Sequence, residues 1–288
     1  RAPNARRQPM PTAPQYAAMP GWYDWVYSIS EAALLVTSLF AVTCLMALAF
    51  LAVAVYRGSP RRAQASNMPA TFVSAITLPV ALIIGLLVND VWRHYNDAQD
   101  GVMREAATVA DATRAIAQLP PDAAKQVGAL MDQYVKADLA RDWKVYQTRQ
   151  SPVETYSALN QMEFLVERLQ LDWSTNAAAV AALKVLEDDV SDLERLRKTR
   201  THLSVGRIDN PRWFVLAMLL LCCATLLTEV IYGQRRNHAV IAGIFVLSYG
   251  ALVYMLLTHD RPFSGSTFVS AEPIVEAYDN QIKVLQRR

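Results

Sequence analysis

The chain has 288 residues, 53% hydrophobic and 19% charged, with a formal net charge of only +2. Its mean hydropathy of +0.13 would suit a soluble protein, but the apolar residues are gathered into blocks. Residues 32–56, 70–89 and 239–258 contain no charged residue, and 213–233 contain only Glu229. Each block reaches the roughly 20 residues that an α-helix needs to cross ~30 Å of hydrocarbon. These blocks exclude a soluble globular protein and a secreted disulfide scaffold, and the near-balanced charge argues against a nucleic-acid partner.

Residues 1–29 form a tail marked by Pro3, Pro9, Pro11, Pro14 and Pro20. Such a segment cannot bury a core. It begins with Arg1 rather than Met, so further residues are expected upstream, and it lacks the apolar central region of a signal peptide. Trp22, Tyr23, Trp25 and Tyr27 are the amphipathic rings expected at headgroup level, just before the first span.

Residues 30–92 hold two predicted membrane helices, at 32–56 and about 70–91. Arg57, Arg61 and Arg62 lie between them. Pro79, near the middle of the second, predicts a kink.

Residues 93–209 are polar, poor in glycine and helical in periodicity. Val102, Ala106, Val109, Thr113, Ile116 and Leu119 make one stripe, which Pro120-Pro121 ends. Val127, Leu130, Tyr134 and Ala137 make a second. Ser151-Pro152-Val153-Glu154 reads as a capping box. Tyr156, Leu159, Met162, Val166, Leu169 and Trp173 follow it, then Val180, Leu183, Leu186, Val190 and Leu193. No stretch alternates like a strand, so the domain is predicted to be all helical. The helices that leave the second span and enter the third are expected to prolong the membrane helices outward.

Residues 210–259 hold the third and fourth predicted spans. Asp209-Asn210-Pro211 supplies a cap followed by proline at the first helical position, and Arg235 and Arg236 lie between the two spans. The short loops carry concentrated arginine, so the positive-inside rule puts them in the cytoplasm. It puts both termini and the middle domain outside a bacterial inner membrane. Residues 260–288 form a turn and an amphipathic tail. The fold class is therefore an all-α polytopic membrane protein, with two plus two spans flanking a helical domain.

Candidate functional residues are few. Phe72, Ile76, Ile83 and Leu87 share roughly one face of the second span, with Asn89 and Asp90 at its exit. These six are candidate pore-lining residues, because an apolar constriction can gate by dewetting. The same face would equally serve to pack against the other three helices. Glu229 is placed to snorkel from the third span toward the short-loop side.

Cys44, Cys222 and Cys223 lie in apolar spans and have no zinc spacing. His94, His202, His238 and His259 read as interfacial polar residues. The acidic run Glu187, Asp188, Asp189, Asp192 and Glu194 reads as a solvated helix face, not a calcium loop. No metal and no cofactor are expected. Without a GxxxxGK[ST], HExxH, GxSxG or GxGxxG signature, no enzymatic activity is expected either.

Three features together resemble the bestrophin-like family of bacterial membrane proteins. One is the exit of the second span, with Arg104-Glu105-Ala106, Leu119-Pro120 and Asp142-Trp143. Another is the two-plus-two arrangement around a helical middle. The most specific is the turn Asp260-Arg261-Pro262-Phe263-Ser264-Gly265 and the sequence after it. The resemblance covers residues 30 to 275. It implies kinship with bestrophins, which are pentameric anion channels. No bestrophin constriction or calcium clasp maps residue by residue onto this chain. A carboxylate ring at Asp90 would favour cations instead.

The turn itself reads as a helix stop that docks the C-terminal segment, or as a polar ring at a channel mouth. Two function classes follow. One is an oligomeric ion channel in lipid, built from copies of this chain. The other is a non-catalytic structural or accessory subunit of a larger membrane complex.

Overall fold

The computed structural model describes residues 25–26, 29–58, 70–148, 157–204, 206, 208–231, 238–265 and 267–286; of these, 70–76, 138, 147–148, 157 and 285–286 are described by their backbone alone. The capping box at 151–154, the arginines at 61, 62, 235 and 236, and most of the aromatic cluster at 22–27 lie outside the described residues.

Helix α1 spans Glu31–Arg57, and Ser30 caps it by accepting from the Ala33 N–H at 3.4 Å. It is apolar on every side. Only Leu34, Ser38, Val42, Met46, Ala49 and Val53, at steps of three and four, are buried. That narrow seam meets α7 (Asn210–Ile231) and α8 (His238–His259). At the α1–α8 crossing, Gly250 lies directly against Leu39. Small residues let membrane helices approach this closely.

Helix α2 runs unbroken from Ala70 to Ile116 and continues through Pro79. At 1.5 Å per residue it is about 70 Å long. It is therefore one rod joining the apolar bundle to the polar domain, as the lack of a breaker between Trp92 and Val102 predicts.

The helical domain follows as α3 (Pro121–Gln133), a π-helical turn (Tyr134–Asp138), α4 (Leu139–Thr148), α5 (Ser157–Asp172) and α6 (Ala177–Leu203). After α8 the chain returns, and α9 (Glu272–Gln286) packs on α2 through Ile274 and Tyr278. One hydrophobic core lies in this domain, around Val102, Val109, Met131, Leu159 and Leu183. A second lies in the apolar bundle, around Val42, Val80, Ile84, Leu220 and Ala224. Among the described residues every regular element is helical.

Among the described residues three helices are long and apolar enough to cross a membrane: α1, α7 and α8. The expectation of four spans is thus met for three. The first part of α2, expected as the fourth, is not among them.

Three local expectations need correction. Helix α6 does not run into α7: it ends at Leu203 with Ser204 as its cap, and Gly206, Ile208 and Asp209 lie outside both helices. The cap at Asp209 forms, its Oδ1 accepting from the Arg212 N–H at 3.3 Å, but Pro211 takes the second helical position. In the domain, Ala137 is exposed while Val135 and Leu139 are buried. The π turn inserts an extra residue and rotates the stripe, which a uniform period of 3.6 cannot anticipate.

Candidate functional site

Helix α2 presents three different flanks where it passes the apolar bundle. Val80, Ile84 and Val91 face inward and are buried. Leu78, Leu82 and Leu86, at steps of four, face outward and are 74%, 65% and 61% exposed. Between them, Leu87 is half-buried against the bundle core, and Ile83 lies at the margin, 48% exposed.

The six predicted pore-lining residues therefore separate. Ile83 adjoins the exposed stripe and Asn89 is exposed. Asp90 turns toward α7, where the Arg212 Nη1 lies 3.8 Å from its Oδ2. Leu87 points into the angle between α2 and α7. Phe72 and Ile76 are on α2, but their side chains lie outside the described residues. The Leu78–Leu82–Leu86 stripe was missed because the whole segment is apolar, so its composition marks no face.

Where α2 leaves the bundle, a set of contacts fixes the junction. Trp92 stacks on His259, with centroids 5.2 Å apart, and Tyr95 meets the same ring edge-on at 5.1 Å. The Tyr95 hydroxyl donates to the Thr267 carbonyl at 3.1 Å. His94, largely buried, hydrogen-bonds through Nε2 to the Leu203 carbonyl at 3.1 Å. His94 and His259 thus tie α2 to the end of α6 and to α8. Among the described residues no group of His, Cys, Asp and Glu could hold a metal ion.

The Asp260–Gly265 turn is buried except at its last residue. Asp260 accepts the Ile208 N–H through Oδ1 at 2.7 Å. Phe263 is wedged between Trp143 (5.7 Å) and Tyr146 (5.4 Å). The Ser264 hydroxyl donates to the Tyr146 carbonyl at 3.1 Å, and the Val269 N–H donates back to the Pro262 carbonyl at 2.7 Å. Gly265 has φ 87°, a left-handed conformation in which other residues are strained. Trp143 Nε1–H donates to the Val269 carbonyl at 2.8 Å. In this geometry the turn seats α9 on the helical domain.

Beneath the turn lies a buried ionic network joining α2, α4 and α6. Arg200 pairs with Glu105 and, at 2.8 Å, with Asp142. Arg197 grips the same Asp142 through Nε at 2.8 Å and Nη2 at 3.0 Å. Tyr134 donates to Glu105, and Arg200 Nε donates to the Tyr146 hydroxyl at 3.2 Å. The Arg200 guanidinium also lies 4.6 Å from the Trp143 ring centroid.

Two cations face two carboxylates here, so the cluster is neutral in sum. Burial, with Glu105 beside it, pushes the Tyr134 phenol well above its usual range. Burial opposes charge on Arg200, but Glu105 and the neighbouring oxygens outweigh it and raise its pKa. The network had a sequence signal. The α6 stripe of Leu186, Val190 and Leu193 continues at the same spacing onto Arg197 and Arg200, which places both arginines on the buried face.

Glu229 is likewise partnered. Arg57, the last residue of α1, meets its Oε2 through Nε at 3.0 Å and Nη2 at 2.5 Å. The pair is four-fifths shielded and ties α1 to α7. The acidic run on α6 is not wholly solvated: Asp189 is partly buried, within electrostatic reach of Asp111 and Arg114 of α2.

The fold is similar to that of a bacterial bestrophin homologue from Klebsiella pneumoniae. Three crystal structures of its point variants give TM-scores of 0.65, 0.61 and 0.59 at 9%, 10% and 12% identity. They cover 88%, 88% and 90% of this chain and 99% of each of those chains. At such identities the likeness establishes the fold alone. No curated protein matches the sequence. The bestrophin-like domain matches residues 39–274, nearly the whole of both helical cores. With three helices able to cross a bilayer and this match across most of its length, the chain is an integral membrane protein of the bestrophin-like family.

Proposed function

We propose that copies of this chain assemble into a closed ring that conducts small ions across a bacterial inner membrane, with the first half of α2 as the fourth membrane crossing and as the pore wall. The observation that carries this reading is the outward stripe of Leu78, Leu82 and Leu86, with Ile83 beside it. This stripe lies on a helix whose opposite side is packed into the bundle. It ends in the polar Asn89, and the same helix continues about 40 Å beyond that residue into the domain. Around an axis, such stripes form an apolar constriction that is open or closed according to whether it is wetted. The buried network and the Asp260–Gly265 turn then hold the domain rigidly on the pore helix.

The concentrated arginines of the two short loops favour a cytoplasmic position for them, with the domain and termini on the opposite side. Whether anions or cations pass is set by the ring of polar groups at the exit. The pairing of Asp90 with Arg212 removes much of the bias of a carboxylate ring toward cations.

Imaging of the full chain purified in mild detergent tests the assembly. The expected result is a symmetric ring with α2 nearest the axis. A single copy, or a ring with α2 at its periphery, overturns the reading.

A further inference from the structure

A groove of about 640 Å³ runs between α2 and α7, within the 300–1,000 Å³ typical of small-molecule sites. Its walls are apolar: Ile84 and Leu87 on α2, and Val215 and Leu219 on α7. On its α2 side the groove is also bordered by Ile83 and Leu86, and α7, which forms its other wall, is long and apolar enough to cross a membrane. The polar lining is confined to the end where α7 begins. There Arg212 lies 3.8 Å from Asp90 and 3.5 Å from Asp209, each side chain about half exposed.

We propose that this groove binds one phospholipid per chain, with an acyl chain along the apolar walls and a zwitterionic headgroup bearing a primary amine at the Asp90–Arg212–Asp209 end. The charge pattern selects the headgroup. A single guanidinium matches one phosphate, which it can grip with paired N–H donors. The two carboxylates flanking it match an ammonium and disfavour a headgroup carrying only negative charge. A primary ammonium donates hydrogen bonds to those carboxylates, whereas a quaternary ammonium has no N–H to give. Phosphatidylethanolamine has this chemistry. Phosphatidylglycerol lacks the cation, and phosphatidylcholine lacks the donors. The inference rests on the membrane-spanning reading of α7 and, because Ile83 and Leu86 border both the groove and the proposed pore wall, it requires the groove to open to lipid beside the ring axis.

The test uses the full chain recovered from the membrane fraction, delipidated in mild detergent and incubated separately with each of these three lipids. Native mass spectrometry counts the lipid retained. Recovery in the membrane fraction is read first, and its failure would strike the span assignment, not the lipid site.

The wild type is expected to keep one phosphatidylethanolamine per chain and at least tenfold less of the other two. Arg212→Gln is expected to lower that retention about tenfold. Val215→Trp, which fills the groove from an exposed position, is expected to abolish it. Equal retention of all three lipids, or unchanged retention in both variants, overturns the proposal. So does oxidative crosslinking between copies through Val215→Cys when Cys44, Cys222 and Cys223 are serine, because a second copy then occupies the groove.

Discussion

Asp260 and Gly206 are locked together: the Asp260 carboxylate accepts the Ile208 N–H through one oxygen, and a Cβ on Gly206 would lie 2.6 Å from the other. The linker between α6 and α7 is thus fitted around the end of α8. Gly206→Ala should lower stability by about 1–3 kcal/mol, as overpacking does. Asp260→Ala should lower it by a similar ~1–3 kcal/mol, by leaving the buried Ile208 N–H unsatisfied. Thermal unfolding in detergent reads both. An assembled, fully stable Asp260→Ala protein with altered ion selectivity would instead put Asp260 at a channel mouth.

The buried network predicts a strong coupling. Arg200→Met leaves Glu105 without its cation and should cost roughly 3–5 kcal/mol. Glu105→Leu should cost a similar amount, because the carboxylate left to Arg200 is then Asp142, which Arg197 already shares. The double variant should be less destabilised than the sum of the two by about 0.5–3 kcal/mol. A denaturant-unfolding double-mutant cycle measures this, and strict additivity would contradict the assigned pairing.

At the α1–α8 crossing, a Cβ on Gly250 would stand 2.5 Å from Leu39 Cδ2 and 3.2 Å from its Cα. The first contact can be relieved by a rotamer change, but the second is backbone. Gly250→Ala should therefore destabilise the bundle by about 1–3 kcal/mol, and adding Leu39→Ala should recover only part of that loss. Melting temperatures of the wild type and both variants in one detergent give the comparison.

Asp189 supplies a pH dependence. Burial first, then Asp111, Asp192 and Asp188, raise its pKa from 3.8 to about 6. Because the folded-state value is the higher one, the proton favours the folded protein. The stabilisation is complete below about pH 4 and is lost as the pH rises through 6. Asp189→Asn should be more stable than the wild type at pH 7 and should flatten the stability profile between about pH 4 and 6. An unchanged profile would show that Asp189 is solvated like its neighbours.

The legible part of the fold was that governed by length and periodicity. Three of the four apolar blocks of about 20 residues lie in helices able to cross a membrane. The stripe from Val102 to Leu119 is buried at each named position. What the sequence hides is rotation. Along α1 and the start of α2 nearly every residue is apolar, so nothing in composition separates Leu82, which faces outward, from Ile84, which is buried. The π turn at Tyr134 hides the register in another way, carrying the stripe past Ala137 to Leu139. Arg197 and Arg200 fall in the α6 stripe of Leu186, Val190 and Leu193, so their place on the buried face is legible from spacing. Their partners Glu105 and Asp142 come from distant parts of the chain, and only the fold brings them together.

The central claim, that the outward face of α2 lines an ion pathway, is tested most directly by ion flux in liposomes holding the wild type, Leu82→Ser or Ile83→Ser, each first shown to be assembled. A serine in an apolar constriction lowers the cost of wetting it, so both variants should raise flux several-fold over the wild type. Flux at the level of empty liposomes for all three proteins, with both variants fully assembled, would contradict the account.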